Sequence, residues 1–193
     1  MSKSLFKGEL VRLAAADAKA ESEMYERWSR DSEFRRLLDT DPARPLRAKP
    51  TEAYLEREGA NTRALFVFDI HALADDRLLG FIGLGGVNWS HGDSWLFIGI
   101  GDRADWSQGC GSDALKLILH YGFAELNLHR VSLTVFEYNG RAMRTYEKAG
   151  FVTEGRVRAY LNREGRRWDV IYMGVLRADW SRRWPEADNE HQS

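Results

Sequence analysis

Trp106-Ser107-Gln108-Gly109-Cys110-Gly111-Ser112-Asp113, running into Ala114-Leu115-Lys116-Leu117-Ile118-Leu119-His120-Tyr121-Gly122-Phe123-Ala124-Glu125-Leu126, decides how the rest of the chain is read. A glycine pair at Gly109 and Gly111 enters a helix-forming run, so backbone N–H groups can approach a bulky anion where the helix dipole already favours negative charge. Just upstream, Trp95–Gly101 is rich in aromatic and β-branched residues and reads as a strand buried on both faces. Strand, glycine turn and helix in that order form an anion cradle, although without the GK[ST] of a nucleotide P-loop. Taken alone, the loop reads equally well as a tight structural turn.

The surrounding composition limits the choices. A chain of 193 residues has the size of one domain, assigned here to residues 1–184, with the polar segment 185–193 expected to be a disordered tail. With 28 basic against 29 acidic residues, no bulk charge draws it to nucleic acid or to an anionic membrane. Cys110 is the single cysteine, which excludes an intrachain disulfide or a thiolate zinc cluster and fits a reducing, cytoplasmic setting. The five histidines lack metal-ligand spacing, so no metal is expected. No apolar run approaches the ~20 residues of a membrane span.

Outward from the centre, residues 8–14 begin a sheet, Asp17 caps a helix through Met24, Tyr25 and Trp28, and a short helix follows at 32–38. Residues 39–50 carry three of the four prolines and read as a flap beside a cleft, with a plain connector as the alternative. Thr51 is expected to cap a helix through Tyr54 and Leu55. Strands from Ala64, Leu78 and Trp95, turned at Asp75-Asp76 and at residues 90–93, make an antiparallel meander. Arg130–Phe136 alternates as a strand, and the helical crossover before it makes it a parallel neighbour of the Trp95 strand. Asn139 then caps a helix ended by Gly150, and two strands flank a turn at 162–165.

Residues 106–112, together with Asn139-Gly140-Arg141-Ala142-Met143-Arg144-Thr145-Tyr146-Glu147-Lys148-Ala149-Gly150-Phe151, resemble the GCN5-related N-acetyltransferase (GNAT) family, in particular its ribosomal-protein and spermidine N-acetyltransferase-like (RimJ/RimL-like) branch. The family's loop reads Q/RxxGxG/A and its later block NxxAxxxYEKxGF. The second block matches here at Asn139, Ala142, Tyr146, Glu147, Lys148, Gly150 and Phe151, whereas the first Gln or Arg of the loop is Trp106. The resemblance implies an α+β fold, an α/β/α sandwich whose mixed, mostly antiparallel sheet of about seven strands splays into a V between strands 4 and 5.

The resemblance also implies acetyl-CoA as co-substrate, bound through Gly99, Ile100, Gly101, Trp106, Ser107, Gln108, Gly109, Cys110, Gly111, Ser112, Asn139 and Tyr146, and a homodimer. Its pantetheine would pair with the backbone of Gly99–Gly101, where glycines in a strand independently suggest a bulge or a close backbone approach. Tyr146 stands at the family position of the acid that protonates the leaving thiolate, with Asn139 and Glu137 beside it as catalytic candidates. Cys110 lies in the phosphate loop and is not expected to carry the acyl group. The general base is open between His91, Asp93, Glu137 and a water.

An α-amine of pKa ~7.7–8.0 is far more often neutral at pH 7 than a lysine-like amine of ~10.4, so a site without an obvious base suits a peptide or protein N-terminus over polyamines and aminoglycosides. A non-catalytic acyl-CoA-binding module is the alternative from another class. Trp28, Trp89 and Trp95 are candidates for an aromatic wall, with core packing the expected role of at least one of them.

Overall fold

The computed structural model describes residues 4–51, 53 and 63–184. The expected helix through Tyr54 and Leu55 and the tail 185–193 lie outside the described residues. Seven strands form one sheet: β1 (Val11–Ala15), β2 (Leu65–Ala72), β3 (Leu78–Asn88), β4 (Asp93–Ile100), β5 (Arg130–Phe136), β6 (Val152–Arg163) and β7 (Arg166–Leu176), in the order β1-β2-β3-β4-β5-β7-β6. Every pairing is antiparallel except β4 with β5. Beside a helical turn from residue 48, the helices among the described residues are α1 (Ala18–Trp28), α2 (Ser32–Leu38), α3 (Cys110–His120), α4 (Gly140–Ala149) and α5 (Arg177–Arg183).

Local chemistry explains most boundaries. The Asp17 carboxylate accepts from the amides of Lys19 and Ala20 and starts α1. Asn139 Oδ1 accepts from Ala142 N at 3.2 Å and starts α4, which ends at Gly150 with φ 104°. Glu164 and Gly165 both have positive φ, the two central residues of a turn that matches strand twist, and Arg163 pairs with Arg166 across it. The 106–126 run divides into α3 and a π-helical turn at Tyr121–Glu125.

Three expectations change. The first strand begins at Val11 rather than Gly8. Thr51 lies inside a helical turn beginning at residue 48, its hydroxyl bonded back to Arg47 O, and does not cap it. The strand at Trp95 is not buried on both faces along its length: Trp95 is 45% exposed and meets Tyr172 edge-on, while Leu96, Ile98 and Ile100 pack on the main core and Phe97 on the cluster around Phe81. β3, with Leu79, Phe81, Ile82 and Leu84 buried, is the doubly covered strand.

The main core joins β1–β5 and β7 to α3 through Leu115, Ile118, Leu119, Leu128 and Leu133. A second cluster, Trp28, Phe34 and Phe81, seats α1 and α2 on the sheet. α1 also carries Glu21, which is buried against Asp69 of β2. Glu21 Oε1 and Asp69 Oδ1 are both enclosed with no donor among the described residues. Burial first, then the neighbouring Asp69, pushes Glu21 up to about 9. A proton held by Glu21 and shared with Asp69 satisfies both oxygens.

Candidate active site

The β4–β5 ladder covers only Asp93↔Arg130, Ser94↔Val131 and Trp95↔Ser132. Beyond Trp95 the two parallel strands part, and from Leu96 onward β4 has no strand partner on that side, with Ile100 O taken by the Trp106 side chain. Into this opening face the start of α3 and one side of α4, which makes a cavity lined by Ile98, Gly99, Ile100, Trp106, Ser107, Gly109, Gly111, Ser112, Asn139, Arg141, Thr145 and Tyr146. Phe34, Leu37 and Leu38 of α2 close its floor.

Ser107 and Gly109 both have positive φ, and Gly109 at 90° is the residue from which α3 starts. A side chain is tolerated poorly there, and the turn leaves first-turn amides of α3 at the cavity. The one carboxylate of that turn, Asp113, is directed away: it is buried and accepts from the amides of Leu10 and Val11. The helix end therefore keeps its positive character toward the cavity.

Trp106, where the family pattern has Gln or Arg, is a platform. Its indole N–H donates to Ile100 O at 2.8 Å, and the Arg141 guanidinium stacks on its ring at 3.9 Å, with Arg103 at 5.6 Å. Burial pulls the pKa of Arg141 downward while Glu33 opposes the shift, and no carboxylate pairs with it directly among the described residues. A partly desolvated, unpaired guanidinium beside a helix N-terminus suits a phosphate or another anion. Sequence reading missed Arg141, because a cation in the first turn of a helix looks like a solvent-facing charge. It likewise missed Ile98, Thr145 and the α2 residues.

Tyr146 lines the cavity, its ring edge-on to Phe151 at 5.9 Å, and its hydroxyl has no hydrogen-bond partner among the described residues. Burial pushes its pKa up to about 12, so it is a neutral donor across the physiological range.

Several expected residues are placed elsewhere. Gly101 does not line the cavity, and its amide is bonded to Leu79 O at 2.9 Å. The β3–β4 ladder is regular at Gly80↔Ile100 and Phe81↔Gly99, so there is no bulge here. The close approach at these glycines comes from aromatic rings. A Cβ on Gly101 would lie 1.9 Å from Trp28 Cε2, and one on Gly99 would lie 2.6 Å from Phe81 Cζ. Gln108 is in the loop and Cys110 opens α3, and both are outside the cavity lining. Burial and the nearby Asp105 push the Cys110 thiol up, opposite to an activated nucleophile.

Glu137 lines no cavity either. It is bonded to Arg156 and to the amide of Asp169. His91 and Asp93 flank the far end of β4, roughly 20 Å along the strand from Gly99. Asp105, the carboxylate that does line the cavity, is held below its ordinary range by a bidentate bond to Arg77, with both oxygens at 2.8 Å. The proline loop forms no flap here: Arg163 holds the carbonyls of Asp39, Thr40 and Asp41, and the amides of Leu46 and Ala48 are tied to Ser29 and Glu26. Nor do the tryptophans make one wall, since Trp28 is buried while Trp89 and Trp95 are exposed.

Comparison with known proteins agrees with this geometry. Residues 9–152 match the acetyltransferase (GNAT) domain family. The chain is 34% identical over 113 residues to a probable N-acetyltransferase, YjcK, of Bacillus subtilis (58% of this chain, 62% of the relative). It is 31% identical over 110 residues to the spermidine N(1)-acetyltransferase of Vibrio cholerae (57% and 63%). These alignments span less than two thirds of either relative. In structure, it superposes with a TM-score of 0.76 on the V. cholerae spermidine N-acetyltransferase in complex with CoA and spermine, covering 88% of this chain and 97% of that one at 22% identity, a likeness of fold. With the parted β4 and β5, the glycine-entered α3 and the Asn139–Phe151 block in one cavity, the chain belongs to the GNAT acetyltransferase domain family.

Proposed function

We propose that the protein is an N-acetyltransferase that moves an acetyl group from acetyl-CoA directly to a primary amine. The observation that carries this reading is the parting of β4 from β5 after Trp95, which opens the Ile98–Ile100 edge toward Tyr146 and the start of α3 in one cavity. The co-substrate supplies an activated acyl thioester. The amides of Gly111 and Ser112 and the Arg141 guanidinium are suited to its phosphates, and the free β4 edge to its amide-bearing arm.

At the reacting end, a β4 amide stabilises negative charge on the carbonyl oxygen, a contribution of several kcal/mol in such sites. The Tyr146 hydroxyl delivers a proton to the departing sulfur. Cys110, outside the cavity and protonated, takes no acyl group.

The acceptor must reach the carbonyl carbon as a neutral amine. The carboxylate lining this cavity, Asp105, is held ionised by Arg77 and is a weak base. Deprotonation then falls to water, which favours the α-amine of a peptide or protein N-terminus. The spermidine acetyltransferase relative supports a second reading, a small-molecule amine.

A homodimer fits the exposed Trp95–Tyr172 contact and the neighbouring exposed Val152, Val157 and Tyr160. Among the described residues no helix is long and apolar enough to cross a membrane, and a cytoplasmic setting belongs to the same proposal. Thiol release from acetyl-CoA across N-terminal peptides, polyamines, aminoglycosides and amino acids tests the reading. Release with one class of amine is expected, whereas saturable CoA binding with a blank panel would replace it with a non-catalytic acyl-CoA-binding module.

A further inference from the structure

A second cavity of about 530 Å³ adjoins the first, within the range of small-ligand sites. Leu37 lines both, and Tyr138 of the second precedes Asn139 of the first. Trp106 joins them further, because Arg141 of the first cavity and Arg103 of the second lie over the same ring.

The charge of the second cavity is lopsided. Four guanidinium groups, Arg36, Arg103, Arg163 and Arg166, face two carboxylates, Glu33 and Glu164. Both carboxylates are already engaged, Glu164 by Arg36 at 2.6 Å and Glu33 by Arg103 at 2.6 Å, and Arg103 is also held by Asp31, just outside the lining, at 2.7 Å. The two remaining cations have no carboxylate among the described residues. Arg163 is committed to backbone carbonyls, with its Nε enclosed and unbonded. Arg166 lies 3.7 Å above the Trp168 ring at the cavity, and its N–H groups have no hydrogen-bond partner among the described residues.

A polycation entering here would meet an excess of one guanidinium and, among the described residues, only carboxylates already paired with arginines. A carboxylate or phosphate would meet Arg166 ready for bidentate bonding. We propose that the second cavity selects acceptor amines that also carry an anionic group, and that Arg166 on Trp168 is its specificity-determining cation. This rests on the acetyltransferase reading and narrows its acceptor.

The test measures both binding and turnover on the full chain saturated with CoA or acetyl-CoA. Probes are three peptides with the same N-terminal serine, followed by glutamates, alanines or lysines, with spermidine, phosphoethanolamine and free glutamate beside them. Expected is a preference of about tenfold or more for the glutamate over the lysine peptide, in Kd and in kcat/KM, and a similar order for phosphoethanolamine over spermidine. Selection among peptides alone would assign the anion to a peptide side chain, and selection among small amines alone to a small acceptor.

Arg166→Ala should bring the peptide ratio close to one, and Arg166→Glu should invert it. Arg166 is exposed beside a hairpin turn, and an unshifted melting curve verifies folding of both variants. Equal or tighter binding of the lysine peptide, or a ratio indifferent to both substitutions, overturns the inference. Selective binding without thiol release for any amine would refute acetyl transfer while leaving the selection standing. Release without selection would do the reverse.

Discussion

Tyr146→Phe removes one oxygen from the candidate site, and the structure assigns opposite signs to its effects on turnover and on stability. The hydroxyl has no hydrogen-bond partner among the described residues, and burial has pushed its pKa up to about 12. A hydroxyl bonded in the fold would cost about 0.5–1.5 kcal/mol when deleted, whereas an unpartnered one leaves stability unchanged or improves it by up to ~1 kcal/mol. For a chain of this size that is a melting temperature between unchanged and roughly 4 °C higher. If the same hydroxyl protonates the departing thiolate, turnover falls by ~10²–10⁴, or about 2.7–5.4 kcal/mol of barrier.

The assay combines initial rates of thiol release, calorimetric titration of acetyl-CoA and a thermal melt. Affinity for acetyl-CoA should move little, because the oxygen acts on the leaving group. The pH profile adds a sign. Tyr146 loses its proton only near 12, so kcat/KM should rise with amine deprotonation through about pH 6–10 with no falling limb from this residue. Turnover within about threefold of the parent, or a lowered melting temperature with weakened acetyl-CoA binding, would make Tyr146 a packing residue and refute the assignment.

Further outcomes follow from other parts of the fold. Glu21 holds a proton in the folded protein up to about pH 9 but loses it near 4.5 when unfolded, so it erodes stability progressively as pH rises between those values. Glu21→Gln keeps a donor for Asp69 without that proton, and should raise the unfolding free energy more at pH 8 than at pH 5, by an amount on the order of 1–3 kcal/mol in denaturant unfolding; a gain independent of pH would contradict the shared proton. Trp106→Ala removes the ring beneath Arg141 and the donor to Ile100 O, and should raise the Kd for acetyl-CoA by about tenfold in titration, as expected for ~1–2 kcal/mol of stacking and charge placement. Gly101→Ala places a Cβ into the Trp28 ring and should destabilise by about 1–3 kcal/mol or more in denaturant unfolding; a neutral result would mean that α1 is loosely seated.

What could be read in advance followed the range of the interaction. Helix ends set by nearest neighbours, such as Asn139 with Ala142 and the Gly150 stop, are legible because the capping atom and its partner lie within a turn of each other. The parallel step from β4 to β5 followed from a helical crossover. The glycines of β4 were legible as a close approach but not as to what approaches. Trp28 and Phe81 reach them from distant segments, and no local pattern names those rings.

Trp95 misled in the other direction. An apolar run gives no sign of which residues are left exposed, here Trp95 where it meets Tyr172. Glu137 sits in a suggestive position along the chain, yet Arg156, on a neighbouring hairpin strand, draws it away from the cavity. Arg141 needed a structural clue, because its meaning comes from the ring beneath it. The replacement of a polar loop residue by Trp106, together with an arginine in the first turn of α4, is the pair of signals that could have pointed there.

The most direct measurement is the fate of the acetyl group in a single turnover, followed by mass spectrometry of the intact protein and of the amine. Expected is a gain of one acetyl group on the amine only, with none on the protein at Cys110 or elsewhere at any time point. Acetyl retained on the protein, or left on CoA in the presence of every class of amine despite saturable binding, would contradict direct transfer in the cavity between β4 and β5.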